Sequence, residues 1–320
     1  ITGASVAGVL LLQAVLGTCA VWLTARTASL WVPDDARRLA SIVAGGALAL
    51  CGIVWLQEAQ ILQSALDALL MSTFAYACTR ALQHRTARAW IVCGVALALL
   101  ATNRPNAWLL ALPVIGGAVL VRVPSPRDEA RGPGRAGLTL VMGVVLVLAP
   151  FALRARLATG QWQVLPAHGG LNVYIGNHAQ ANGSYTVVEG IRPSIEGQMT
   201  DMQAVASHAA GRSVSSAEAS AFYARRGVAW WAEAPADAMR LLLFKLWLST
   251  HAWELPVNAS YAWFREQVWL LWLLPVGAWL LVPVGLATSV GINAERRTQN
   301  AEGQGRGSAD RGTPNAEEAA

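Results

Sequence analysis

The residues able to do chemistry in this chain are few, because charge is scarce: Asp, Glu, Lys and Arg together make up 13% of the residues. Glu58 stands in a polar break at 57–60, between two apolar stretches. A carboxylate so placed can bind a divalent metal, accept a proton or simply be solvated. Arg104 stands in the next such break, Thr102-Asn103-Arg104-Pro105-Asn106. It can cap the ends of the apolar segments electrostatically, or grip a phosphate through paired hydrogen bonds. Lys245 is the one lysine among 24 basic residues and lies in the apolar run Leu241–Leu248. A compact ammonium there suits a phosphate at an apolar surface, or snorkels towards water. Gln60, Gln63 and Asp67 fall at i, i+3 and i+7, a spacing that predicts one helix face. An acid within an apolar span costs about 2.5–3.5 kcal/mol on insertion scales, so Asp67 should line a wet cavity or pair with a nearby Arg.

Other patterns are weaker. His168, His178, His208 and His251 match no zinc spacing. No nucleotide-binding or Gly-x-Ser-x-Gly fingerprint occurs in a strand–helix context. Gly169, Gly170 and Gly176 can form an anion nest or only shape a loop. Cys19, Cys51, Cys78 and Cys93 all lie in apolar stretches and read as small buried hydrophobes.

The elements that must position these residues follow from composition. Hydrophobic types reach 54% of 320 residues and the mean hydropathy is +0.40, whereas a soluble domain carries about 25% charged residues. The composition predicts a polytopic membrane protein and excludes a mostly disordered chain. Seven stretches are candidate spans: Ala4–Leu23, Leu39–Leu56, Ile61–Arg80, Ala87–Ala101, Ala107–Val121, Leu138–Leu153 and Val268–Thr288. Pro105 reads as a helix restart. Loops 24–38, 80–88 and 122–136 together hold ten arginines, against the single Arg104 in the alternate loops 57–60 and 102–106. That asymmetry places the first set inside and residues 154–265 outside. The net charge of +5 is therefore a loop signature, and no nucleic-acid partner is expected.

The expected organisation is a bundle of six spans over residues 1–153, a small mixed outer domain over 154–265, a last span over 266–292 and a disordered inner tail over 293–320. Within the outer domain, residues 169–177 mix turn formers with a short β-type run. Ser215-x-x-Glu218 predicts a capping box opening a helix to about Glu233. Pro235 starts a second helix that ends in Leu241–Leu248, expected to lie at the membrane interface.

Four stretches, in order, resemble the GT-C membrane glycosyltransferases of family-39 type, akin to protein mannosyltransferases and bacterial aminoarabinose transferases. They are Leu12–Gly17; Cys93–Leu110, in which Arg104-Pro105-Asn106 sits between apolar runs; Gly169-Gly170-Leu171-Asn172-Val173-Tyr174-Ile175-Gly176-Asn177, with Asn182-Gly183 after it; and Phe244-Lys245-Leu246-Trp247 with Trp253-Glu254 following. Asn172-Val173 stands where relatives often have Asn-Phe.

The resemblance implies transfer of a sugar from a polyprenyl-phosphate donor to a glycan, lipid or protein acceptor at the outer face of a bacterial inner membrane. It implies Glu58 as a candidate site acid and possible ligand of a divalent ion such as Mg or Mn. It also implies Arg104 and Lys245 as donor-phosphate contacts and Gly169, Gly170, Asn172, Tyr174, Gly176 and Asn177 as an outer-loop motif, while the spacing of Gln60, Gln63 and Asp67 makes them candidates to line the cavity. The family's main acid lies in a first outer loop, expected upstream of Ile1, so this chain alone is expected to be inactive. Two other classes remain: a transporter or flippase, which should show inverted repeats or broken helices, and a non-catalytic membrane scaffold.

Overall fold

The computed structural model describes residues 5–120, 133–160, 162, 168–251, 260–277 and 279–285. Among them the chain is helical, and its one β-type pairing is an isolated bridge. Residues 154–265, expected from the sequence to form a mixed domain, contain helices and no strand among the described residues.

Helix α1 (Val6–Ser29) starts where Ser5 Oγ accepts the Gly8 N–H at 3.0 Å and continues for 24 residues without an acid. Helix α7 (Pro133–Thr159) runs through Pro150. Among the described residues these contain the two helices long and apolar enough to cross a membrane, with mean hydropathies of 2.1 over Val6–Ser29 and 2.4 over Ala136–Ala158. Only 17% and 11% of their apolar windows are buried within the protein, whereas the core helix of a soluble protein would be mostly covered. Such bare apolar flanks are what a membrane-facing or partner-facing surface presents.

The other stretches are shorter, interrupted or, as in the continuous helix Ser64–His84, less apolar. The run Leu39–Leu56 is not one helix: α2 (Arg37–Ala49) ends, Cys51 turns extended with ψ 100°, and α3 (Gly52–Glu58) begins. Gly45 of α2 packs on Val21 and Ala25 of α1, while Glu58 at the end of α3 lies on Gly17. A straight helix would have advanced much further along α1 over those residues, so α3 departs from the α2 axis. The carbonyl freed at Leu50 accepts the Val276 N–H at 3.3 Å. Val276 itself lies in a second interruption, between a 3₁₀ turn (Trp269–Leu273) and a helical segment at 279–285. Backbone groups freed in an apolar solvent must find protein partners, and here the two breaks serve each other.

Helices α4 (Ser64–His84) and α5 (Ala87–Asn103), the 3₁₀ turn Pro105–Leu110 and α6 (Ala111–Leu120) complete the bundle. Their core is Phe74, Trp90, Leu97 and Leu100 with small alanines. Polar ties cross it: Thr24 Oγ1 and Ser72 Oγ lie 3.0 Å apart, and Trp31 Nε1 donates to Thr79 Oγ1 at 3.1 Å. Helices α5 and α7 cross through reciprocal glycines. A Cβ on Gly94 would overlap the Leu140 carbonyl oxygen, and one on Gly143 would overlap that of Ile91.

The second helical domain consists of α8 (Gly169–Gly176), α9 (Ile195–Ala210), α10 (Ser216–Glu233) and α11 (Pro235–Thr250), followed by α12 (Tyr261–Gln267). The capping box is present: Ser215 Oγ accepts the Glu218 N–H at 3.2 Å, and Glu218 Oε2 accepts that of Ser215 at 2.8 Å. The domain core packs Leu171 and Ile175 of α8 against Met202 and Tyr223.

Two carboxylates of this domain give it an acid-sensitive edge. Arg192, donating through Nε and Nη2 at 2.8 Å, holds Asp201 well below the ordinary carboxylate range. Arg212 and the Ser215 N–H hold Glu218 at about 2. Both folded-state values lie below the unfolded ones of 3.8 and 4.5, so the contribution is complete above those values and lost as pH falls through about 2. Thermal unfolding followed by circular dichroism should therefore show a melting temperature that declines between pH 4.5 and pH 2. Replacing Arg192 and Arg212 by Met should flatten that decline.

Candidate functional site

A cavity of about 1960 Å³ opens between the bundle and α8. The bundle supplies Glu58, Gln63, Ser64, Asp67, Asn103 and Arg104; α8 and its cap supply His168, Gly169 and Asn172; Leu281 adds an apolar edge. Four distant parts of the sequence thus meet around one space.

Arg104 reaches the wall because α5 stops at Asn103. Pro105 excludes the helical conformation from the residue before it, and Arg104 is extended at φ −130°, ψ 97°. Its Nε and Nη2 both donate to Asp67 Oδ2 at 2.7 Å, and Asn103 Nδ2 donates to Asp67 Oδ1 at 2.7 Å. Asn103 Nδ2 also lies 3.2 Å from the Gln63 carbonyl oxygen. Asp67 therefore clamps the 103–104 break onto the first turn of α4. The Arg104 and Asp67 side chains keep 41% and 31% exposure, so the pair still faces the cavity.

Glu58 has a different environment. Among the described residues it has no hydrogen-bond or ion-pair partner, and its carboxylate lies flat on the Cα of Gly17. Any side chain at Gly17 would occupy that place. One turn earlier on α1, Gln13 Nε2 donates to the Gln60 carbonyl oxygen at 2.9 Å, which seats the 57–63 turn against α1. Gln13 Oε1, Gln60 Nε2 and Ser64 Oγ are buried without a protein partner, so this corner is polar and under-satisfied.

Some expected site residues lie elsewhere. Gln60 and Gln63 precede α4, which begins at Ser64, so the three-residue face predicted by spacing is not one helix face. Gln63 and Asp67 line the cavity; Gln60 does not. The outer-loop motif is α8, and its two ends do different things. Gly169 and Asn172 face the cavity, whereas Gly170 is wedged on α10, its N–H donating to Ser220 Oγ at 2.9 Å. Tyr174 stacks on His178 at 5.1 Å, under the Arg226 guanidinium at 4.9 Å. Asn177 accepts from Trp231 Nε1 at 3.0 Å. Lys245 does not line the cavity; its Nζ donates to the Gly176 carbonyl oxygen. Trp253, Glu254 and the tail after Asn293 lie outside the described residues.

Sequence reasoning passed over Gly17, Ser64, Asn103 and His168. The Gln13–Gly17 spacing of one helical turn was the signal available for the first. As to a metal, no three His, Cys, Asp or Glu side chains gather among the described residues. Asp67 is engaged by Arg104 and Asn103, which leaves Glu58 as the one unpaired carboxylate of the cavity wall. Among the described residues Glu58 is therefore the one carboxylate of the wall left free to contribute to a divalent-ion site.

Chemically, the arrangement offers an uncompensated carboxylate able to take or orient a proton. The same cavity is lined by a guanidinium whose charge a single carboxylate offsets. The chain matches no family model, no curated protein and no solved structure.

Proposed function

We propose that the chain belongs to a membrane glycosyltransferase of GT-C type, moving a sugar from a polyprenyl-phosphate donor to an acceptor hydroxyl at the outer face. One observation carries the reading. The cavity gathers Arg104, Gly169 and Asn172 from two of the four stretches on which the resemblance rests, together with Glu58, and Gly17 from a third seats the Glu58 carboxylate. Its volume exceeds the roughly 300–1,000 Å³ of ordinary small-molecule sites, as a lipid-linked donor requires.

In this reading the acceptor hydroxyl gives its proton to, or is oriented by, Glu58. The anomeric carbon is attacked with inversion, and the departing lipid phosphate is stabilised by Arg104. The seven spans, the outer position of residues 154–265 and the bacterial inner membrane are part of the same proposal. It is supported by the arginine asymmetry and by the uncovered apolar faces of α1 and α7.

Two experiments test it. Hydrogen bonds to charged groups are worth about 1.5–3 kcal/mol, so Arg104→Gln should raise the apparent KM for the lipid donor roughly tenfold or more and leave that for the acceptor unchanged. Equal changes in both would indicate a folding defect instead. For the topology, single cysteines at Ser184 and His84 in a cysteine-free background should differ in intact cells. An impermeant maleimide should label Ser184→Cys and spare His84→Cys; the reverse pattern inverts the topology.

A transport function is favoured by one specific feature, the pair of interrupted stretches joined through Leu50 and Val276, since broken helices are a transporter device. Reconstituted vesicles separate the two readings. A transferase yields glycosylated acceptor with no flux, and a transporter yields flux with no new glycosidic bond.

A further inference from the structure

The last four carbonyls of a helix have no partner within it. In α8 each has a donor from outside the helical ladder. The Val173 oxygen accepts from Asn177 Nδ2 at 2.8 Å. The Tyr174 oxygen accepts from the Asn177 N–H at 2.9 Å and from His178 Nδ1 at 3.0 Å, which requires Nδ1 to carry the proton. The Ile175 oxygen accepts from Thr186 Oγ1 at 3.2 Å, and the Gly176 oxygen from Lys245 Nζ. Only the last donor comes from α11.

Helix α11 is apolar on its uncovered face as well as on its covered one. Ala238, Leu241, Lys245 and Leu248 are its covered positions, at i, i+3, i+7 and i+10, and so share one face. The opposite side bares Met239, Leu242, Leu243, Leu246 and Trp247. Lys245 thus faces protein, while Asp237 and Arg240 near the start of the helix and the apolar residues of its second half are exposed, an outward face suited to a lipid interface. Burial lowers the Lys245 ammonium below its ordinary value, in keeping with that inward placement. A second contact runs in parallel. Gly183, at φ +86°, sits beneath Leu248 and Phe244, where a Cβ would stand 2.8 Å from Leu248 Cδ1. The same turn leads to Thr186 and so to the Ile175 carbonyl.

We propose that Lys245 is a positioning residue: it locks the lipid-facing helix α11 onto the C-terminal end of α8, so that the seating of α11 in the membrane surface sets where the α8 wall of the cavity stands. The donor phosphate is then left to Arg104. The ammonium also meets the partial negative charge of the α8 C-terminus, a favourable pairing for a cation. The inference uses the cavity and not the reaction, so it holds for a transferase and a transporter alike.

The test uses the full chain in lipid nanodiscs, cysteine-free apart from spin labels at Val173 of α8 and Leu109 of the bundle, both lining the cavity. Pulsed electron resonance should give one narrow distance with Lys245. Lys245→Met should broaden it or shift it by about 2 Å or more, the scale of a helix displacement. Lys245→Arg, which can donate to the same carbonyl, should restore it. Thr186→Val, which leaves Lys245 in place, should give a smaller change in the same direction, and it serves if Lys245→Met fails to fold. In detergent micelles, which lack a planar interface, the unsubstituted protein should drift towards the Lys245→Met distribution. Unchanged distances in Lys245→Met overturn the proposal. So does a loss of polyprenyl-phosphate binding in Lys245→Met with the distance intact, which would make the ammonium a direct phosphate contact.

Discussion

Glu58→Gln should reduce turnover of the full-length protein by at least about tenfold, towards the 10²–10⁴-fold that general acid–base groups contribute, while protein level and lipid-donor binding hold. The amide keeps the size of the carboxylate and removes its basicity. Because Glu58 has no partner among the described residues, no ion pair is broken by the change. Gly17→Ala should give a phenotype of the same kind from the neighbouring helix, since its Cβ would take the place of the carboxylate. Ala is the better helix former by about 1 kcal/mol, so this variant should be no less stable while losing activity. Gly46→Ala, whose Cβ would meet nothing within 4 Å, is the matched control and should retain activity. Near-normal turnover in Glu58→Gln would leave a merely solvated carboxylate and remove the central element of the proposed mechanism.

What the sequence shows of this site divides along the line between local and distant causes. The start of α10 was legible because a capping box is written in Ser215 and Glu218 themselves, and the start of α11 because Pro235 fits a first helical turn. The division of the α5 stretch at Arg104 was legible for the same reason, through Pro105. The break at Leu50–Cys51 was not. The run Leu39–Leu56 is evenly apolar, and what stabilises the interruption is the Val276 N–H, a donor from the far end of the chain.

Helix α8 was misread for a related reason. Val173, Tyr174 and Ile175 are strand-type residues between glycines, and nothing local favours a helix. It forms because Gly170 allows close approach to Ser220 and because the last carbonyls find donors in Asn177, His178, Thr186 and Lys245. The face drawn through Gln60, Gln63 and Asp67 failed by a matter of register, since the helix it assumed begins four residues after Gln60. The pairing of Asp67 with a nearby Arg was among the readings its chemistry allowed, and Arg104 supplies it.

The crossing of α5 and α7 carries the second large effect, and it concerns stability. The atoms that a Cβ on Gly94 or Gly143 would strike are backbone: the Leu140 carbonyl oxygen and the Val144 nitrogen for one, the Ile91 carbonyl oxygen and the Val95 nitrogen for the other. Backbone cannot rotate aside as a side chain can, so the helices must separate along their shared length. Overpacking a fitted interface costs about 1–3 kcal/mol, and each single Gly→Ala change should fall at or above that range. The double variant is more informative. Once one Cβ has pushed the helices apart, the second enters space already opened, so the two penalties should sum to clearly more than the double variant's cost. Thermal unfolding in detergent of Gly94→Ala, Gly143→Ala and the pair measures this, with Gly116→Ala, which meets nothing within 4 Å, as the neutral control. Strictly additive losses would mean that the two contacts relax independently, and that α5 and α7 are not held by one common backbone approach.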